Sequence, residues 1–264
     1  MTELRIAVLV KQVPDPALVT VSEDGVLQRE GVPAMMDPFG KMALMQALRL
    51  KRDRSAHVTA VSMGPLHAEE VLRKSLEYGA DDAVLISDRG LAASDTWATA
   101  KALSAFILKE GFDLVFCGVQ ATDGDTAQVP AELSVMCDAG IYSYVYEVGF
   151  EEDSGRMEVL QSYEHGSIRS EVEMPAVLSF LREPPDMRPL PDIRGFMSAE
   201  KAEIRTLDLR DLGLSVMDVG SRGSKTRVIS VRTGERPVKE TVFVDGSDTA
   251  SAADMIIREA EGIL

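Results

Sequence analysis

Four short apolar runs recur through the first half of the chain: Ile6–Val10, Val58–Val61, Ala83–Ile86 and Leu114–Cys117. Each is too short for a helix and ends in turn chemistry or a polar break, which reads as a buried strand. Amphipathic stretches lie between them. Lys41–Arg52 places Met42, Leu44, Met45, Leu48 and Leu50 on a plausible helical face. Ala68–Tyr78 contains Val71, Leu72 and Leu76 and stops at Gly79, a good C-cap residue. Asp95–Lys109 and Thr126–Cys137 read as two further helices. Strands that alternate with helices imply an α/β fold, a Rossmann-like parallel sheet with helices on both faces and right-handed crossovers. Ligands of such sheets bind beyond the carboxyl ends of the strands. Function is therefore expected in the loops after Val10, Val61, Ile86 and Cys117.

The middle of the chain changes character. Tyr142–Val148, Arg156–Tyr163, Ile168–Met174 and Ala176–Leu181 read as extended segments, the first of them paired as hairpins. Pro184, Pro185, Pro189 and Pro191 then follow in quick succession. Proline at that density breaks regular structure and stiffens a connection. A boundary near Pro185 divides an α/β domain, residues 1–185, from residues 186–264. The second stretch reads as an arm that packs on a partner or as a small second domain, with a helix at Thr249–Ile263. The formal net charge of −15 argues against an electrostatic nucleic-acid binder. Cys117 and Cys137 form no CxxC pair and no metal spacing, and the cysteine usage suits a reducing compartment. No signal-peptide pattern and no membrane-length apolar stretch is seen, so a cytoplasmic location is expected.

The most informative loop is Gly118–Val119–Gln120–Ala121–Thr122–Asp123–Gly124–Asp125–Thr126–Ala127–Gln128–Val129. It leaves a buried strand and opens a helix. Gly118 and Gly124 allow close backbone approach and positive φ. Asp125 or Thr126 is placed to cap the helix. A helix N-terminus offers free N–H groups and a positive dipole end, suited to a phosphate. A strand–turn–helix of this kind is equally consistent with a structural turn. The loop is neither a Walker A sequence nor a GxGxxG fingerprint. His57, His67 and His165 sit in no nucleophile setting, and no acid–base machinery is evident. That absence favours a protein that holds a cofactor while the cofactor does the chemistry. Asp37, Pro38, Phe39 and Gly40 open a helix, with Asp37 as N-cap and Pro38 at its first position. Ser62–Pro65 and Ser94–Thr96 are the remaining strand-end loops, and all four converge on one rim.

At these residues a family resemblance appears. Val8–Asp15 resembles the opening strand and loop of electron-transfer flavoprotein beta subunits. Asp37–Pro38–Phe39 and the helix after it look like the family's N-P-[FYD] start and its EALRLK-type helix. Val61–Pro65 matches its VSxGP segment, Tyr78–Asp81 its GAD segment, and Pro175–Leu178 its PAVLT strand. Gln120–Gln128 is close to its signature loop QAIDGDTAQ, and the resemblance spans essentially the whole chain.

The resemblance implies a heterodimer. The beta subunit has an adenine-nucleotide-binding α/β fold whose C-terminal arm, here residues 186–264, embraces an alpha subunit that carries FAD. Ordinary members hold AMP in the beta site as a structural ligand. Electron-bifurcating members hold a second FAD there, which accepts a hydride from NADH. Gly124–Gln128, Ser87–Arg89, Ser94–Thr99 and Gly223–Val228 resemble the bifurcating branch, so FAD is the expected ligand and AMP the alternative. A flavin-dependent dehydrogenase, such as an acyl-CoA dehydrogenase, is the implied redox partner. The family site carries over to Leu9, Asp37 to Gly40, Met63, Thr96 and Gly118 to Val129. Asp37 stands where the family usually has Asn, Val119 where bifurcating members commonly have Arg, and Pro130–Ala131 where Gly–Pro is usual. Arg188–Ile193 resembles the recognition loop whose leucine, here Leu190, docks into dehydrogenases. The same segment also reads as a stiff connection whose leucine packs on its own subunit.

Overall fold

The structure is a computed structural model that describes residues 3–15, 20–21, 27–28, 33–151, 154–182, 191, 193–227, 229 and 248–261. The chain begins with β1 (Leu4–Leu9), then four short strands: β2 (Gln12–Pro14), β3 (Thr20–Val21), β4 (Leu27–Gln28) and β5 (Ala34–Met36). The alternating part follows as α1 (Pro38–Asp53), β6 (Ala56–Met63), α2 (Glu69–Tyr78), β7 (Asp82–Ile86), α3 (Thr96–Glu110), β8 (Leu114–Gly118) and α4 (Val129–Met136). Next come β9 (Gly140–Phe150), β10 (Met157–Tyr163), β11 (Gly166–Glu171) and β12 (Ala176–Phe180). The remainder comprises α5 (Ile193–Lys201), β13 (Arg205–Leu207), α6 (Gly220–Gly223) and α7 (Thr249–Glu261).

The expected parallel sheet is present. Its strand order is β11-β10-β9-β12-β8-β1-β6-β7-β13. From β9 to β13 in that order neighbouring strands pair parallel. β10 pairs antiparallel with both β9 and β11, so that end of the sheet is built of hairpins. Ile6, Ala7 and Val8 of β1 have no exposed surface. A central parallel strand is covered on both faces, so every side chain must be apolar or small. One core cluster joins the sheet to α1 and α2 through Leu44, Leu48, Val71 and Leu72. The other joins it to α3 and α4 through Leu103, Phe106 and Leu133. α2 and α3 stop where Gly79 and Gly111 adopt left-handed backbone, φ 115° and 69°.

Two compact units are defined, Met1–Ile229 and Ser230–Leu264. The boundary expected near Pro185 falls among residues outside the description. Beyond it, β13 joins the sheet, with Arg205 opposite Val84 and Leu207 opposite Ile86. Within the stretch 186–264, expected to pack on a partner, Leu212 is buried in the core of its own unit and Leu214 packs against that core. Attachment of β13 to the sheet edge carries them there. Val216 and Met217 remain exposed. In the second unit Asp248 immediately precedes α7, and its carboxylate accepts from Ser251 N at 3.1 Å. Among the described residues no helix is long and apolar enough to cross a membrane.

Candidate functional site

The strand order locates a crevice. From β1 the chain runs through α1 to β6 on one side, then through β7 and α3 to β8 on the other. The direction of winding therefore reverses between β1 and β8, the topological switch point where open α/β sheets bind ligands. Leu9 closes β1 and Gly118 closes β8, one on each side of that point. Met63 closes β6, and Thr96 opens α3. The rim read from the sequence is thus brought together at one edge of the sheet.

Asp37 is the joint of this rim. It is 1% exposed and caps α1, with Oδ1 accepting from Phe39 N at 3.0 Å and Gly40 N at 3.3 Å. Its second oxygen crosses to the long loop, accepting from Thr122 N at 2.7 Å and Thr122 Oγ1 at 2.8 Å. Pro38 occupies the first turn, where its missing N–H costs nothing. Phe39 lies so close to the end of β8 that a Cβ on Gly118 would sit 2.4 Å from the Phe39 Cβ. Gly118 is thus required by close approach. Gly124, by contrast, borders open space.

The left-handed backbone expected at those two glycines falls elsewhere. Asp125 and Ala127 take positive φ, 51° and 54°, while Gly118 and Gly124 do not. Positive φ in non-glycine residues costs of order 1–3 kcal/mol and concentrates at functional sites. It also delays the helix. The expected start near Thr126 is overturned, because two left-handed residues cannot lie in a right-handed helix. α4 begins at Val129, with Gln128 as N-cap and no side-chain capping bond. Thr126 lies exposed in the irregular segment between the loop's turn and α4. The backbone changes hand from Ala127 (φ 54°) to Gln128 (φ −96°), the kind of alternation from which anion-binding concavities are built.

The remaining loop residues are placed as follows. Val119 is 5% exposed, and its N–H donates to Phe180 O, so its side chain is buried in the protein. Gln120 and Ala121 are half-buried, and Ala121 O accepts from Asp125 N at 2.8 Å. Asp123 pairs with Lys11 Nζ at 2.7 Å, tying the loop to the end of β1. That pairing removes one of two carboxylate charges that would oppose an anion. Asp125 stays exposed. Gln128 Oε1 lies 3.0 Å from Thr96 Oγ1, linking the starts of α3 and α4.

Three neighbours were missed by sequence reasoning. Lys11 stood in a recognised segment without an assigned partner. Asp95 caps α3 through Ala98 N and also holds the backbone of Lys225 and Thr226, each at 2.7 Å. Burial opposes its ionisation, but donation from Ala98, Thr226 and Lys225 outweighs that and holds its pKa below the ordinary carboxylate range. Glu132 lies four residues after Gln128, a spacing that shares a helix face, and accepts from Thr96 at 3.0 Å. Burial lifts its pKa, opposed by the Thr96 bond and reinforced by Asp95. Cys117 is fully buried, which pushes its thiol up to about 12 and leaves it unreactive. Leu190 lies outside the described residues.

A mostly parallel sheet covered by helices on both faces, with a switch point between β1 and β8, defines a doubly wound α/β protein. An electron transfer flavoprotein domain matches residues 24–212. The electron transfer flavoprotein subunit beta of Thermoanaerobacterium thermosaccharolyticum is 41% identical over 232 residues, covering 87% of this chain and 88% of that protein. The acryloyl-CoA reductase electron transfer subunit gamma of Anaerotignum propionicum is 36% identical over 262 residues, covering 96% and 97%. The caffeyl-CoA reductase-Etf complex subunit CarD of Acetobacterium woodii is 37% identical over 228 residues, covering 85% and 86%. The chain belongs to the electron transfer flavoprotein family and is of its beta-subunit type.

Proposed function

We propose that the switch-point rim binds FAD and that the chain, paired with an FAD-carrying alpha subunit, passes electrons between NADH and a flavin-dependent dehydrogenase. One observation carries this reading. The start of α4 lacks a side-chain cap, follows two left-handed residues, and lies beside open space at Gly124. Such a start leaves the N–H groups of Val129 and Ala131 for a pyrophosphate, Pro130 having none and Glu132 donating to Gln128 O. The residues fit the group: Gly124 leaves room for close approach, Thr126 offers a hydroxyl, and Lys11 neutralises Asp123. FAD bound there would supply hydride acceptance and electron transfer, chemistry that needs no general base from the chain. Leu9, Met63 and Val129 give the rim apolar walls, and Asp37 holds the loop against α1. Relatives named for acryloyl-CoA and caffeyl-CoA reductases favour a partner that acts on a CoA thioester. In this reading residues 186–264 contribute to the contact with the alpha subunit, and Leu190 docks into the dehydrogenase.

A second reading has AMP in the same place, with electrons carried only by the alpha-subunit FAD. Val119 favours it, since a buried valine supplies no cation where bifurcating relatives commonly have Arg. Flavin counting on the purified alpha–beta complex separates the two. Two flavins, with NADH bleaching one in the absence of dehydrogenase, supports the first reading. One flavin, with AMP released on denaturation, refutes it in favour of the second. Leu190→Ala should slow electron transfer to the dehydrogenase with flavin content unchanged; loss of flavin instead would assign Leu190 a packing role.

A further inference from the structure

The junction of α3 and α4 holds a buried carboxylate oxygen without a donor. Thr96 Oγ1 lies 3.0 Å from the Gln128 amide and 3.0 Å from Glu132 Oε1. A hydroxyl has one proton and satisfies one acceptor at a time. Either the Gln128 amide turns so that its Nε2 donates to Thr96 Oγ1, or Glu132 is protonated and its O–H donates there. The other Glu132 oxygen, Oε2, is shut off from solvent and has no hydrogen-bond partner in either arrangement. Only a proton on Glu132 removes the charge that this oxygen would carry unsolvated.

The surrounding charges favour the same state. Asp95 faces Glu132 from the start of α3 and disfavours its ionisation. Lys101 of α3 is engaged by Asp218 at 2.7 Å. On the loop, Asp123 is paired with Lys11, and Asp125 adds negative charge. Lys225 lies over the Trp97 ring, 5.8 Å from its centroid. β12, which packs beneath α4, carries no charged residue.

We propose that Glu132 is the proton-linked group of this site, taking up a proton when a phosphate-bearing ligand seats at the start of α4. The inference rests on the reading that this rim binds a dinucleotide. Glu132 is the fourth residue of α4, in the same first turn as the N–H groups that would meet the phosphate. An arriving phosphate is a like charge, which disfavours the carboxylate and favours the acid. The sign follows. A carboxyl whose folded pKa is raised contributes its stability below the ordinary carboxylate range and loses it as pH rises through the raised value. Ligand moves that value higher still, so affinity falls as pH rises across the interval. If arrival adds about one pKa unit, affinity drops about tenfold over that interval.

The test uses the alpha–beta complex with its alpha FAD in place and the beta site emptied. FAD is the probe, because its pyrophosphate diester keeps its charge from mildly acidic to mildly basic pH. Calorimetry in two buffers of different protonation enthalpy counts the protons exchanged. Wild type should take up a fraction of a proton that peaks at about half a proton per site for a shift of about one pKa unit, and Glu132→Gln should bind FAD with almost none. FAD binding without uptake, or with equal uptake in Glu132→Gln, overturns the proposal and leaves the dinucleotide site standing. Failure of wild type to bind FAD removes the site reading and the proposal with it. If Glu132→Gln does not assemble, Thr96→Val takes its place. Losing the hydroxyl that partners Glu132 in both its charged and its neutral state shifts its titration, so the uptake profile should move along the pH axis, and an unmoved profile overturns the proposal.

Discussion

Replacing Asp37 with Asn changes one atom and should loosen the whole rim. The carboxylate serves four donors, two from the start of α1 and two from Thr122, at 2.7 to 3.3 Å. An amide cannot do the same. In one orientation its NH2 faces Thr122, whose hydroxyl can turn to accept but whose N–H is left without a partner. In the other the NH2 faces the N–H groups of Phe39 and Gly40. Either way at least one donor loses its acceptor beside a residue that is 1% exposed. An unsatisfied buried polar group costs about 1–3 kcal/mol. Asp37→Ala loses the helix cap as well and should cost about 2–4 kcal/mol. Urea unfolding of the alpha–beta complex at fixed concentration measures the shift, and retained nucleotide measures the effect on the loop. Thr122→Val, which removes the hydroxyl alone, completes a double-mutant cycle with a coupling of about 0.5–3 kcal/mol expected. An Asn variant that matches wild type in both midpoint and retention would refute the four-donor account.

Gly118→Ala should destabilise by about 1–3 kcal/mol or more, because its Cβ would press into Phe39, whereas Gly124→Ala should leave unfolding unchanged and show itself only in nucleotide affinity. Equal behaviour of the two in urea unfolding would remove the distinction between packing and ligand space. Thr126→Val keeps shape and loses a hydroxyl, so nucleotide binding should weaken by about 1.5–3 kcal/mol if that hydroxyl meets a phosphate. Unchanged retention places it away from the ligand. Asp95 has a lowered pKa, so its hold on Lys225 and Thr226 is complete above the ordinary carboxylate range and is lost as pH falls through the lowered value. Asp95→Asn should lose amide hydrogen-exchange protection at those residues at neutral pH, and protection equal to wild type counts against the clasp.

Much of this protein was legible before any coordinates. The four apolar runs became β1, β6, β7 and β8, and the amphipathic stretches became α1 to α4, because side-chain period reports local conformation directly. Asp37 and Pro38 marked the start of α1 for the same reason: capping chemistry acts across two or three residues. The signature loop was recognisable as a unit, but its inner geometry was not. Nothing in the glycine positions announced that Asp125 and Ala127 would take the left-handed backbone, or that α4 would wait until Val129. Loop dihedrals answer to distant ties, here Thr122 to Asp37 and Asp123 to Lys11, across 85 and 112 residues. Strand order was equally out of reach, since an apolar run states that it is buried and not which strand lies beside it. Only the folded sheet set β8 against β1 and drew β13 from beyond the prolines to its far edge. Patterns of burial and capping are written along the chain. The switch point, and the meeting of Thr96, Gln128 and Glu132 beside it, exist only once segments far apart in sequence share a surface.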